Sequence, residues 1–450
     1  MTQPAQTLAE ASAALDAGAT TSRKLVEACL ERIAAADGEG GNAFVRVYAA
    51  EARAMADACD LLRHARRHPG PLAGIPISIK DLFDVAGETT PGGSLVRADA
   101  APATAHATVV ARVLAAGLIP VGRTNMTEFA FSGLGVNPHH GTPRSPWDRA
   151  TGRIAGGSSS GAAVSVTDGM ALGALGTDTG GSCRIPAAFC GIVGYKPTAR
   201  RVPLDGVLPL APSLDSVGPL ANSVACCATL DAVLAGIAPQ PVLPRPVGRL
   251  RLAVPQGVML DGLDDVVAAT FERALTRLAA AGAEIVPTRV AALAATHAMP
   301  NRGAIAAAEA FAWHRALLAA RGPRYDPQVR SRILRGEGIG VADYSALLAS
   351  RATLIAALDR ETAAFDAMVL PTCPVVPPKL TDLAASSDYA RINALVLRNP
   401  SDANFFDRCA ISLPCHRPGH APVGLMLVGE TMGDARLFAV AAAIERLLRQ

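Results

Sequence analysis

Short apolar runs alternate with amphipathic stretches along almost the whole chain, and this alternation restricts the fold more than any other feature. PLAGIPISIKDLFDV, LIPVG, ALGALGT, GIVGYKP, RLRLAVP and AEIVPTRV are brief, apolar and punctuated by Gly or Pro, the pattern of buried strands. Between them, HATVVARVLAAG, SGAAVSVTDGM, SVACCATLDAVLAG and DDVVAATFERALTRLAAAG place apolar residues at helical spacing, with Gly117 as one helix stop. The first 65 residues read as helices with Thr and Ser N-caps. FDAMVLPTCP, CAISLP and PVGLMLVG read as late strands, and DARLFAVAAAIERLL as a closing helix. Strand and helix in alternation imply the α/β class: a large mixed β-sheet core covered by helices on both faces.

A chain of 450 residues can hold one large domain. The expected layout is a single domain. Helices occupy 1–65, a catalytic core 66–237 and a less distinctive, mainly helical subregion 257–365. Residues 366–450 return to complete the core. A Pro-rich stretch at 238–250 connects the halves. Half of the residues are hydrophobic but only 4% are aromatic, so the core is built from small side chains.

Charge excludes one class of partner. The formal net charge is +3, from 42 basic and 39 acidic residues, which leaves no footprint for nucleic acid or an acidic partner. The densest basic cluster, Arg63, His64, Arg66, Arg67 and His68, reads as a solvated helix end. Nine cysteines at irregular spacings read as reduced thiols in a cytoplasmic protein. The N-terminus lacks a basic region ahead of its apolar residues, so no signal peptide is expected. Gly, Pro or Asp interrupts the apolar runs, so no membrane-spanning helix is expected either.

The chemistry concentrates in residues 156–186, GGSSSGAAVSVTDGMALGALGTDTGGSCRIP. One glycine-serine run opens a helix, and the second ends a strand and enters a turn. Both place serines on tightly bent backbone rich in free N–H groups, as an oxyanion site needs. Gly180 and Gly181 permit positive φ and close approach of a carbonyl. Ser182 or Cys183 could be the nucleophile. Gly157 to Gly161 also fits the G-x-S-x-G elbow, but no strand precedes it, and His297, His314, His416 and His420 lie in no convincing context. His139 and His140 have no spaced metal-ligand partners and read as loop residues. Without a histidine, the base for a serine must come from elsewhere. Lys80 ends GIPISIK. From that stretch alone an exposed lysine at a strand end is the preferred reading. The alternative is a buried lysine whose lost hydration lowers its pKa.

These pieces together resemble the amidase signature family. The resemblance rests on GGSSSG followed by GTDTGGSCRIPAAFCGIVGYKP, on PLAGIPISIKDLFDVAG, on GRTNMTEFAFSG, on SPWD ahead of the first glycine run, and on PVGLMLVG. It covers almost the whole chain, least distinctively at 257–365. It implies the amidase signature fold and a triad of Ser182 as nucleophile, Ser158 as a bridging serine on a cis peptide, and Lys80 as base. The backbone N–H groups of Thr179, Gly180, Gly181 and Ser182 would form the oxyanion hole. Asp178 and Arg184 would brace the loop, and Cys183 would be a buried filler. Ser160 stands where the family often has glycine.

The resemblance also implies amide hydrolysis through an acyl-enzyme, with no metal and no organic cofactor. Ala130 and Phe131 would line the substrate channel. Few charged residues are expected nearby, so apolar or aryl amides are expected, with carbamates (urethanes) as a further class. The expected partner is that small molecule alone, with no nucleic acid and no membrane, and the protein a monomer or homodimer. The competing function is the A subunit of an amidotransferase, releasing ammonia from glutamine within an assembly. A non-catalytic relative is disfavoured by the intact Lys80, Ser158 and Ser182.

Overall fold

A computed structural model describes residues 6–67, 70–299 and 302–449. His68 of the basic cluster lies outside them. Eleven strands form one mixed sheet: β1 (Phe44–Val47), β2 (Pro76–Lys80), β3 (Ile119–Thr124), β4 (Gly173–Thr177), β5 (Val193–Lys196), β6 (Val217–Ala221), β7 (Arg251–Pro255), β8 (Glu284–Thr288), β9 (Ala367–Pro371), β10 (Ala410–Pro414) and β11 (Gly424–Val428). Their order is β1-β3-β2-β4-β6-β5-β10-β11-β9-β7-β8. β2 runs parallel to both β3 and β4, and β7 to both β8 and β9, while the middle of the sheet is antiparallel.

Every residue of β2, β3 and β4 is buried, so helices must cover both faces of this part of the sheet. Helices Ser22–Ala34, Ser160–Thr167 and Arg184–Cys190 form one layer, and Thr108–Ala115, Val224–Ala235 and Asp434–Arg449 form another. Their starts are legible in chemistry. Thr7 and Glu10 make a capping box, and Thr21, Ser223 and Asp264 each accept from a backbone N–H in the first turn of the helix that follows.

Two expectations need correction, and one helix bears on a third. The first 65 residues are not all helical: FVRV forms β1, an edge strand pairing antiparallel with β3. VGPLA forms β6, a central strand that the sequence reading passed over. Finally, the 22-residue helix Val341–Thr362 is long and apolar enough to cross a membrane by length and composition, with mean hydropathy 1.3. Asp343 and Arg351 interrupt its apolar run without ending the helix, and it packs on helices Ala291–Ala298 and Ala304–Arg321. All nine cysteines are free thiols.

Candidate active site

The parallel register of β2 and β4 builds the centre of the site. Ile79 pairs with Leu175, so Lys80 and Thr177 emerge side by side at the carboxyl ends of neighbouring strands. In open α/β sheets that edge is where ligands bind. Lys80 is fully buried, and its Nζ lies 2.8 Å from both Ser158 Oγ and Thr177 Oγ1. The exposed-lysine reading is thus overturned. Burial lowers the ammonium pKa to about 7, although the acidic groups of Cys183, Asp178 and Asp215 oppose the shift. A neutral amine is therefore populated near pH 7.

Ser158 follows a cis peptide bond from Gly157 and stands just ahead of helix Ser160–Thr167. Its loop is pinned on both sides. Gly157 N–H donates to Gly133 O at 2.8 Å, and Ser158 O accepts from Thr127 N–H at 3.1 Å. Ser159 N–H donates to Ser182 O at 3.3 Å, which stitches the two serine loops together. No side-chain hydrogen bond joins Ser158 to Ser182 among the described residues. Ser182 opens onto a cavity.

The loop after β4 is held by an ion pair. Arg184 donates from Nη2 to Asp178 Oδ1 at 2.9 Å and from Nε to Oδ2 at 3.0 Å, with both side chains fully buried. Burial alone raises the Asp178 carboxyl pKa, but Arg184 and then Lys196 more than reverse this and hold it well below the usual carboxylate range. Asp178 also accepts from Gly181 N–H at 2.8 Å and Cys183 N–H at 3.0 Å. This corrects the expected donor set. The Gly181 N–H is engaged by Asp178, and the donors left in the loop are Thr179, Gly180 and Ser182. Conformation is corrected too: only Gly181 has positive φ, at 126°, and a side chain there would strike Pro400 at 2.6 Å. Gly180 is sterically open by comparison, its nearest neighbour being Leu397 at 3.6 Å.

Cys183 is buried behind the loop, its Sγ 3.5 Å from Gly218 O, and burial pushes its thiol pKa well up. It is filler, as expected. Ser159 of the elbow motif is fully buried, with its hydroxyl donating to Thr177 O, and among the described residues no histidine hydrogen-bonds to it.

Ala130 and Phe131 line the same cavity as Ser182, Thr179 and Gly180. Its volume is about 430 Å³. Leu210, Leu214, Leu397 and Phe405 complete an apolar side. The expectation of few nearby charges fails, because Arg302, Arg332 and Arg398 reach the cavity, beside His297, from segments distant in sequence.

Thr177 was missed by sequence reasoning, although it sits inside GTDTGG. Asp215 was missed with it. Thr179 Oγ1 donates to Asp215 Oδ1, while Leu210 and Ala211 N–H groups each donate to Oδ2 at 3.0 Å. One carboxylate thus ties the donor loop to the apolar wall. Thr177→Val removes an acceptor from Lys80 without changing shape. It should lower kcat/KM about tenfold through kcat, the scale of one hydrogen bond. Thr177→Ser should restore most of the loss, and equal loss in both variants would rule out the hydroxyl as the cause.

Comparison with known proteins shows the family. The family model described as Amidase matches residues 24–438. The chain belongs to the amidase signature family. It is 38% identical to the 2-amino-5-chloromuconic acid deaminase of Comamonas testosteroni, over 98% of this chain and 96% of that one. It is 35% identical to the A subunit of glutamyl-tRNA(Gln) amidotransferase from Synechococcus sp. (strain RCC307), over 97% of this chain and 96% of the relative. A solved amidase superimposes with a TM-score of 0.88 at 32% identity, covering 98% of this chain and 99% of that structure. Amidase signature enzymes act on C–N bonds, and the mixed sheet with its helical layers is the fold they share.

Proposed function

We propose that this protein is an amide hydrolase working through Ser182, Ser158 and Lys80. The observation that carries the reading is the buried Lys80 amine, 2.8 Å from Ser158 Oγ and at the same strand ends as Ser182. Neutral Lys80 takes a proton from Ser158, and Ser158 takes one from Ser182 as Ser182 Oγ attacks the carbonyl carbon. The Ser158 to Ser182 contact forms as substrate enters, since catalytic hydrogen bonds tighten in the complex. N–H groups of Thr179, Gly180 and Ser182 hold the oxyanion, each such donor lowering the barrier by about 3 kcal/mol. The proton returns along the same relay to the leaving nitrogen, and water then hydrolyses the ester by the reverse path. No step calls on a metal or an organic cofactor. The apolar wall suits an aliphatic or aryl body on the substrate.

The test is covalent. A fluorophosphonate should label Ser182, located by mass spectrometry after digestion. The labelling rate should fall about tenfold per unit as pH drops below about 7, because protonated Lys80 cannot accept a proton. It should level off above that value. Label on Ser159 would revive the elbow. A rate independent of pH between 5 and 8, the range in which a base with this pKa must titrate, would remove the lysine from the mechanism.

The amidotransferase reading is supported by the identity to the A subunit of that enzyme. Glutamine hydrolysis only in the presence of a copurifying protein would establish it. Hydrolysis of a small amide by the lone chain supports the stand-alone enzyme.

A further inference from the structure

Three arginines and a histidine line the cavity that holds Ser182, but they are not equivalent. Arg302 pairs with Asp402 and also donates to Ser401 Oγ at 2.6 Å. His297 lies 3.0 Å from the same Asp402 carboxylate. Arg398 has no acidic partner, but its nitrogens are occupied: it donates to Asp261 O at 2.6 Å, Asn399 Oδ1 at 3.1 Å and Met259 O at 3.3 Å. Arg332 differs from all three. Among the described residues its side chain makes no hydrogen bond and no ion pair, and its Nε is buried without a partner.

Arg332 is held where a ligand can meet it. It stands on helix Pro327–Leu334, and its guanidinium carbon lies 4.8 Å from the centre of the Phe131 ring. Phe131 shares both the catalytic cavity and an adjoining one of about 700 Å³ with Arg332. Asp343 lines the adjoining cavity without pairing with Arg332. Burial lowers the Arg332 pKa to about 10, so the group stays charged at neutral pH.

An uncompensated, partly desolvated cation is costly, and a planar guanidinium with free donors fits a carboxylate. Most of the rest of the cavity wall is apolar, which leaves this charge as the distinguishing mark of the space. Resting on the hydrolase reading above, we propose that Arg332 binds a carboxylate on the substrate. The enzyme then takes amides whose acyl portion ends in an acid remote from the scissile bond. Arg398, also without an acidic partner, adds positive field on the same cavity.

Binding can be measured apart from turnover. In the Ser182→Ala variant, calorimetric titration compares succinamate, glutaramate and adipamate with butanamide, pentanamide and hexanamide. At least one half-amide should bind about tenfold or more tightly than its neutral counterpart, the scale of a charge-assisted contact. Adding Arg332→Met should abolish that preference, and Arg332→Lys should keep part of it, which also shows that the site tolerates substitution. Equal affinity for charged and neutral amides, a preference that survives Arg332→Met, or binding of no member of either series would overturn the proposal. Lys80-dependent labelling of Ser182, measured separately, reports on the hydrolase reading alone. Labelling without a carboxylate preference sinks only the Arg332 assignment.

Discussion

Lys80→Ala should lower the rate of Ser182 acylation by about a thousandfold, within the range that general-base catalysis contributes. The variant leaves Ser158 in a buried site with no acceptor for its proton. Thr177 cannot substitute, because a hydroxyl is too weak a base near pH 7. Lys80→Arg is the sharper test. It supplies several donors and a fixed positive charge, because a guanidinium does not deprotonate in proteins. If the amine acts as a base, Lys80→Arg should be as slow as Lys80→Ala. A Lys80→Arg enzyme with near-normal labelling would mean that no neutral amine is needed at this position, and the proton relay would have to be abandoned. The measurement is the fluorophosphonate rate at pH 8, above the value of about 7 at which wild-type Lys80 loses its proton.

Much of the fold was legible because local pattern and global role agree in this chain. β2, β3, β4 and β7 are short apolar runs punctuated by Gly or Pro, and each is buried along almost its whole length. Helix Asp265–Ala280 shows a clear apolar face and an Asp264 cap. The misses have physical reasons. β1 is four residues with Arg46 in the middle, and only its pairing with β3 makes it a strand. β6 contains Pro219, which cannot donate to a ladder and so argues against a central strand. Its neighbours supply the pairing that propensity does not.

The candidate site divides in the same way. Lys80, Ser158 and Ser182 belong to contiguous motifs, so the resemblance could assign them before any coordinates. Phe131 and Ala130 were assigned to the substrate channel on the same basis and do line the cavity. The side of that cavity lined by arginines and a histidine was invisible. His297, Arg302 and Arg332 come from the least patterned part of the chain and Arg398 from beyond it, and no local spacing links them to Ser182. The donor loop was misjudged for a different reason. A run of Gly-Gly-Ser shows that N–H groups are accessible in principle. It cannot show that Asp178, three residues before Gly181, turns back to take one of them.

That same carboxylate gives the largest expected loss of stability. Arg184→Met strands the Asp178 charge in a site where both partners are fully buried. Breaking a buried pair by removing one member costs about 3–5 kcal/mol, read here as a lower denaturant midpoint at unchanged slope. The loss is not confined to one contact. Arg184 also donates to Pro400 O at 2.8 Å and to Asn404 Oδ1 at 2.7 Å, which ties the donor loop to helix Pro400–Phe405. Asp178 in turn orders the loop through Gly181 and Cys183. Labelling of Ser182 should therefore fall along with stability, even under conditions where the variant is folded. Asp178→Asn separates the two effects. It is isosteric and keeps an acceptor, but it leaves Arg184 charged and unpaired, so stability should drop on the same scale. The double variant Asp178→Asn, Arg184→Met removes both charges and should recover part of the stability lost in either single change. Recovery of stability without recovery of labelling would show that the pair shapes the oxyanion loop as well as holding the core. A loss below about 1 kcal/mol in both single variants, the scale of an exposed ion pair, would refute the structural weight given to the pair.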